Sequence, residues 1–168
     1  IDDPCVIDTS NQIYGTIINT QTLEHARPVS LAGCKRIMTI ENKANYESMQ
    51  YDDNTLYIFC HGYFTPKEVS FLKKLSLIVS EECEFLHWGD MDFGGISIFL
   101  FIKERIFEKL MPYRMGVADF EDALKKDAGI PLKASTREKL EKKDAGLLTE
   151  LKEAILESDK TIEQERLL

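Results

Sequence analysis

Phe85-Leu86-His87-Trp88-Gly89-Asp90-Met91-Asp92-Phe93-Gly94-Gly95 carries the pattern that sets the architecture of this chain. A short apolar run leads into two aspartates one residue apart, then two glycines, then the apolar-rich segment Ile96 to Leu110. The pattern predicts strand, carboxylate-bearing turn, helix. Residues at i and i+2 of an extended backbone project to the same side, so Asp90 and Asp92 can face one site from the end of a strand. Two carboxylates held together repel unless a proton or a cation intervenes. A hard cation such as Mg²⁺, which takes oxygen ligands, answers that requirement.

Working outward, Glu84 to Trp88 is the strand and Gly94 to Leu110 the helix that follows. Upstream, Lys35 to Glu41 is a short apolar run suited to a buried strand, with a glutamate at its C-terminal end. Asn42 to Gln50 reads as a loop and a short helix, and Leu56 to Cys60 as a second buried strand ending at His61-Gly62. Thr65-Pro66-Lys67-Glu68 is a helix start, with a capping threonine, proline at the first helical position and glutamate closing a capping box. The helix is predicted over Pro66 to Val79, with Val69, Leu72, Leu75 and Val79 on one face. Alternating strands and helices at this spacing imply crossover units and a parallel sheet. Ligands of such sheets bind at the C-terminal strand ends. Glu41, His61, Asp90 and Asp92 all fall there.

The flanks differ in character. In residues 1–33, Val6-Ile7-Asp8 and Ile13-Tyr14-Gly15-Thr16-Ile17-Ile18 have β-branched, strand-like composition, and Pro28, Ser30 and Gly33 interrupt the pattern. This segment is expected to be a hairpin, an edge ribbon or the end of a preceding domain. Tyr113 to Val117 is expected as a fourth strand. From Asp119 the chain is charged and helical, with Asp119 and Ser135 as expected caps and Ser135-Thr136-Arg137-Glu138 as a second capping box. The expected organisation is an N-terminal segment over 1–33, an α/β core over 34–118 and a helical C-terminal extension over 119–168. The core would hold a mainly parallel sheet of about four strands flanked by helices.

The chain has 168 residues, 43% of them hydrophobic and 30% charged, which suits one domain with a real core. Its formal charge of −8 argues against a broad electrostatic footprint for nucleic acid on this piece alone. A bound cation would change the sign of the field at the site itself. Cys5, Cys34, Cys60 and Cys83 are widely spaced without a Cys-x-x-Cys pair, which supports neither a zinc site nor a disulfide framework. Cys60 and Cys83 read as buried thiols. No apolar run reaches a membrane span of about 18 residues. Ile1-Asp2-Asp3-Pro4 is acidic, is no signal peptide and lacks an initiator methionine. A cytoplasmic fragment of a longer protein is the expectation.

A glutamate after one strand and Asp-x-Asp after a later one can hold Mg²⁺ against a phosphoryl oxygen. Asp-x-Asp alone is unspecific: nucleotide-sugar transferases use it, and haloacid-dehalogenase-like phosphatases carry it as a nucleophile motif after the first strand. The simplest alternative is that the aspartates only cap the following helix. That explains one aspartate but neither its partner nor Glu41.

Taken together, Thr39-Ile40-Glu41-Asn42 and Gly89-Asp90-Met91-Asp92-Phe93-Gly94-Gly95 resemble the two signature motifs of a Toprim domain. Toprim is the metal-binding fold of topoisomerases, DnaG-type primases and certain nucleases. The Gly-Asp-x-Asp-x-x-Gly spacing is similar to the branch containing the A subunit of type IIB topoisomerase (topoisomerase VI) and its meiotic relative. Within it, the tryptophan and glycine before the aspartates and the Glu-Asn of the first motif resemble the C-terminal domain of the JetD family. JetD is the nuclease subunit of bacterial Wadjet anti-plasmid systems. The resemblance covers about residues 35–118 well and the tail, Thr161-Ile162-Glu163-Gln164-Glu165, more loosely.

The resemblance implies Mg²⁺-dependent cleavage of double-stranded DNA, with Mn²⁺ able to substitute. Glu41, Asp90 and Asp92 would carry the metal chemistry, the glutamate in acid/base work and the aspartates as ligands. It also implies that Glu163 and Glu165 could add metal ligands, against the plain reading of a polar turn on a surface helix. An SMC-like (JetABC-type) complex would be the partner assembly. Oligomeric state is left open, a dimer being compatible with the residues. Asn42 and Lys43 could orient Glu41 or reach a phosphate, and His61 and His87 flank the site as phosphate contacts or proton carriers. A topoisomerase relative would need a winged-helix domain with a nucleophilic tyrosine. Nothing here resembles one, and Tyr46, Tyr57 and Tyr63 read as packing residues. A type IIB topoisomerase or recombination subunit, and a non-catalytic interaction module of the same fold, stay open as alternatives.

Overall fold

The computed structural model describes residues 5–168, so Ile1 to Pro4 lie outside the described residues. Three short strands form the centre: β1 (Arg36–Ile40), β2 (Thr55–Phe59) and β3 (Glu84–Trp88). With β4 (Met111–Pro112) they make one sheet in the order β2-β1-β3-β4, every pairing parallel. β1 has neighbours on both edges, and Ile37, Met38, Thr39 and Ile40 are all buried. An uninterrupted apolar run is what such a doubly covered strand requires. Its register with β3 sets Thr39 beside His87 and Ile40 beside Trp88, so both strands end level where the acidic residues begin.

Helices cover both faces. The connection from β1 to β2 is α2 (Lys43–Ser48), whose Tyr46 packs on Phe59 with ring centroids 5.8 Å apart. On the opposite face, α4 (Phe93–Arg105) sets Phe99 against His87, and Phe107 beyond it lies 4.7 Å from Phe85. Between β2 and β3 runs α3 (Pro66–Leu75), opened by the expected capping box: Thr65 Oγ1 accepts from Glu68 N and Glu68 Oε2 from Thr65 N. This is the α/β, Toprim-like architecture anticipated from the sequence.

Several elements depart from expectation for local reasons. Neither Val6-Ile7-Asp8 nor Ile13 to Ile18 forms a strand. Tyr14 and Ile17 are 98% and 97% exposed, and no sheet edge lies beside them among the described residues. β-branched composition without a partner strand does not make a strand. The ordered part of the segment is instead α1 (Thr20–His25), capped by Asn19 and tied to α3 by Lys67 Nζ and Glu24, 2.6 Å apart. α3 stops at Leu75, not Val79; the Ser76 hydroxyl turns back to Lys73 O, competing with the helix backbone. α4 ends at Arg105, not Leu110, because Phe107 and Leu110 fold back into the core and Lys103 Nζ bonds the carbonyls of Glu108 and Leu110. The fourth strand comes earlier than Tyr113–Val117. It is two residues long and Arg114 ends it in the left-handed region (φ 51°).

The C-terminal region holds α5 (Val117–Lys125), α6 (Ala134–Glu141) and α7 (Thr149–Ser158). Asp119 does not cap α5 from outside; it sits in the first turn and accepts from Gly116 N at 3.1 Å. Ser135 lies inside α6, which starts at Ala134 with Lys133 at the N-cap position, so the second capping box does not form. Leu132 N is held by Asp159 O, which fixes where the helix begins. The region is also not purely helical. β5 (Ile130–Pro131) pairs antiparallel with β6 (Lys160–Thr161), and Asp159, left-handed at φ 55°, reverses the chain between α7 and β6. That reversal sends the last residues back to the ends of β1 and β3. No described helix is long and apolar enough to cross a membrane.

Candidate functional site

Glu41 follows β1 directly, and its backbone N–H donates to Trp88 O, so it stands level with the end of β3. Gly89 comes next in β3's chain. A Cβ there would lie 2.7 Å from both Glu41 Oε2 and His87 Nε2, so a side chain at this position would push one or both of these groups away from the strand end. Asp90 N–H points at Glu41 Oε2, 3.4 Å away. Met91 is buried and pairs in both directions with Ile162, by hydrogen bonds of 2.9 and 3.1 Å. Asp92 then caps α4, its Oδ1 accepting from Gly95 N at 2.8 Å. A side chain at Gly95 would collide with the Asp90 carbonyl. The turn thus depends on glycine at both ends.

The tail completes the wall. Gln164 is fully buried and touches three parts of the site: its N–H donates to Asp90 Oδ1 (2.6 Å), its Oε1 accepts from Asn42 N (2.9 Å) and its O accepts from Asn45 Nδ2 (3.0 Å). Glu163 and Glu165, on either side, are exposed, and Asn42 Nδ2 reaches Glu165 Oε2 at 3.4 Å. Gln164 and Asn45 were not singled out from the sequence. The available signal was an amide between two acids; an isolated glutamine in a charged tail carries no periodicity that marks it as buried.

The carboxylates burden one another. Burial, reinforced by Asp90 and Asp92, raises the Glu41 carboxyl to about 7. Burial also raises Asp90, opposed by the Gln164 hydrogen bond and reinforced by Asp92, Glu163 and Glu165. No lysine or arginine figures among the charges acting on either group. The donor set is therefore all hard oxygen and negatively charged, the chemistry a divalent cation takes. Asp90 and Asp92 each give one oxygen to a backbone N–H and leave the other without a partner among the described residues. No three of the described His, Cys, Asp or Glu side chains already converge closely enough to enclose an ion. The donors fit the group; the ring is open.

The remaining candidates sort by geometry. Asn42 caps α2, its Oδ1 accepting from Ala44 N and Asn45 N. Lys43 turns along its own helix to Glu47, 3.5 Å away. His61 is half-exposed and faces Glu68 at 3.3 Å. His87 is fully buried beneath Glu41; burial pushes its imidazole down to about 3, so it is neutral at physiological pH. Cys60 and Cys83 are buried free thiols, and burial drives Cys60 up to about 12, beyond nucleophilic use. Asp92 does what the capping alternative requires, whereas Asp90 does not cap and is held by the tail. On the far side of Trp88, the Arg114 guanidinium lies 5.3 Å from the indole centroid.

Residues 6–168 match the family model described as Wadjet protein JetD, C-terminal. The chain belongs to this family. It is 34% identical over 133 residues to Wadjet protein JetD of Bacillus cereus (strain Q1), an alignment covering 77% of this chain and 32% of that protein. The chain thus spans about a third of the curated relative it matches. The family match includes the acidic strand ends and the Glu163–Glu165 tail in one unit.

Proposed function

We propose that this chain is the metal-dependent DNA-cleaving Toprim domain of a JetD-type Wadjet protein, acting in plasmid defence. The observation that carries the reading is the cluster of Glu41, Asp90 and Asp92, with Glu163 and Glu165 beside it, at the ends of adjacent parallel strands, with no described lysine or arginine offsetting the charge on Glu41 and Asp90. Such a cluster is costly in itself. Asp90 and Asp92 would hold Mg²⁺ or Mn²⁺ through their free oxygens, and Glu41, Glu163 and Glu165, which share the electrostatic surroundings of Asp90 without converging on one point, would have to draw inward to join the set. A bound divalent cation supplies charge for a scissile phosphodiester and lowers the pKa of its water. The Glu41 carboxyl, raised to about 7, can exchange a proton near neutral pH. Gln164 and Gly95 N–H groups fix one oxygen of each aspartate. Grip on double-stranded DNA is assigned to the rest of the longer protein and to an SMC-like partner complex, since this chain carries a net charge of −8.

The test begins with Mn²⁺ and Mg²⁺ calorimetry on the chain and on Asp90→Ala/Asp92→Ala. The expected result is binding by the first and none by the folded second, followed by loss of plasmid cleavage when the same pair is changed in the full-length protein. Equal metal binding in both, or none in either, overturns the reading and favours an interaction module.

A further inference from the structure

The backbones of Thr39 and His87 belong to the sheet's hydrogen-bond ladder, but their side chains form a separate buried pair beneath the acidic cluster. Both residues are fully buried. Thr39 Oγ1 lies 2.8 Å from His87 Nδ1 and 3.3 Å from Leu86 O. A hydroxyl has one proton to give. Given to the carbonyl, it leaves Nδ1 as the imidazole donor and Nε2 as a bare lone pair. Given to the closer Nδ1, it leaves the imidazole proton on Nε2. His87 Nε2 is sealed from solvent and has no hydrogen-bond partner. A buried N–H without an acceptor costs about 1–3 kcal/mol, so the second arrangement requires an acceptor close by. The niche over Gly89 supplies one: Glu41 Oε2 and His87 Nε2 both lie 2.7 Å from the point where a Gly89 Cβ would stand. Apart from Gly89 and its chain neighbours Trp88 and Asp90, the next atom lies 3.5 Å from that point and is the imidazole's own Cδ2.

We propose that Thr39 and His87 form a positioning relay for Glu41: the Thr39 hydroxyl fixes the imidazole with its proton on Nε2, and that N–H, directly or through one trapped water, holds the Glu41 carboxylate toward Asp90 and Asp92. His87 touches neither substrate nor cation. It acts through Glu41, as outer hydrogen-bond partners of a ligating carboxylate do. The glycine at 89 belongs to the same device, because any larger residue would fill the space the two side chains share. The functional meaning of the relay rests on the metal-site reading above, but its hydrogen bonds can be read without metal.

The test uses ¹⁵N-labelled chain and long-range ¹H–¹⁵N correlation of the histidine rings, with the His87 signals identified by their absence in His87→Gln. The expected spectrum has His87 neutral, protonated on Nε2, slow to exchange with solvent, and shifted in Glu41→Gln. Thr39→Val should transfer the proton to Nδ1 wholly or in part. A proton on Nδ1 in the wild type overturns the relay, as does an Nε2–H signal indifferent to Glu41→Gln; neither observation depends on the valine variant folding. The second readout is Mn²⁺ affinity. His87→Phe should lose about 10–100-fold, and His87→Gln, whose amide N–H can replace Nε2–H, should recover most of it. Equal affinities in folded His87→Phe and wild type also overturn the relay. A wild type that binds no Mn²⁺ but shows the Nε2–H coupled to Glu41 would sink the metal reading and leave the hydrogen-bond relay standing.

Discussion

Glu41 is where the strain of the site concentrates on one residue. Its carboxyl ionises at about 7 in the folded chain against an ordinary value of 4.5. Between those values the native state holds more protons at this group than the unfolded state, so its contribution to stability falls as pH rises. Below the unfolded pKa both states are protonated and the group is neutral in effect; above about 7 the full cost of a buried, like-charged carboxylate is present. At 1.36 kcal/mol per pH unit this has an upper bound of about 3 kcal/mol, discounted by the group's partial exposure to about 1–2. Glu41→Gln keeps the shape and removes the charge. It should raise the urea midpoint at pH 8 and leave it unchanged at pH 4. A variant equally stable to wild type at pH 8 would show that the carboxylate is relieved by something other than a proton. In the metal reading, saturating Mn²⁺ should abolish the advantage of the variant, because a cation relieves the same repulsion.

At the scale of elements, the tail after α7 is part of the site and not an appendage. Gln164 spans Asp90, Asn42 and Asn45, and Ile162 pairs with Met91. Gln164→Ala removes the side-chain acceptor of Asn42 N–H in a closed environment, while its own backbone bond to Asp90 can survive. The expected cost is about 1–3 kcal/mol in chemical denaturation, with faster hydrogen exchange at Asn42 N–H than at the β1 amides. Exchange equally slow at both would mean that the tail does not hold the loop. This coupling also marks the limit of what sequence could disclose. β3, β1 and the acidic strand ends were legible because apolar runs, glycines and a capping box are local signals. The ends of α3 and α4 were not, since Ser76 and Lys103 bond nearby carbonyls there through side chains that no residue pattern marks as helix stops. The strands expected at 6–8 and 13–18 misled because composition gives propensity without a partner. Gln164, Asn45 and the Met91–Ile162 bridge were invisible for a related reason: each is a contact across about 70 or more residues, and no periodicity in the chain encodes it.

The whole molecule divides into a body that buries its apolar residues and an N-terminal stretch that does not. Val6, Ile7, Ile13, Tyr14 and Ile17 are all exposed, while α1, which follows them, is fixed to α3 through Glu24 and Lys67. Apolar area that stays in water contributes nothing to the roughly 25 cal/mol per Å² gained on burial. Replacing Val6, Ile7, Ile13 and Tyr14 with serine should therefore leave both the urea midpoint and its slope unchanged, within about 0.5 kcal/mol. The slope is the sharper test, since it follows the area exposed on unfolding. A loss of about 2 kcal/mol with a smaller slope would mean that the stretch packs on the body in solution. The same division bears on the electrostatics. Residues 1–14 hold three acidic and no basic residues, so residues 15–168, which carry the acidic cluster, keep −5 of the net charge of −8; in the proposed function, DNA at the site would be held by positive charge supplied from outside this chain. The isolated chain should accordingly show metal binding with DNA affinity too weak to detect at about 150 mM salt, where surface charges are screened beyond roughly 8 Å. Tight DNA binding by this chain alone, measured by fluorescence anisotropy in the absence of metal, would contradict that division of labour.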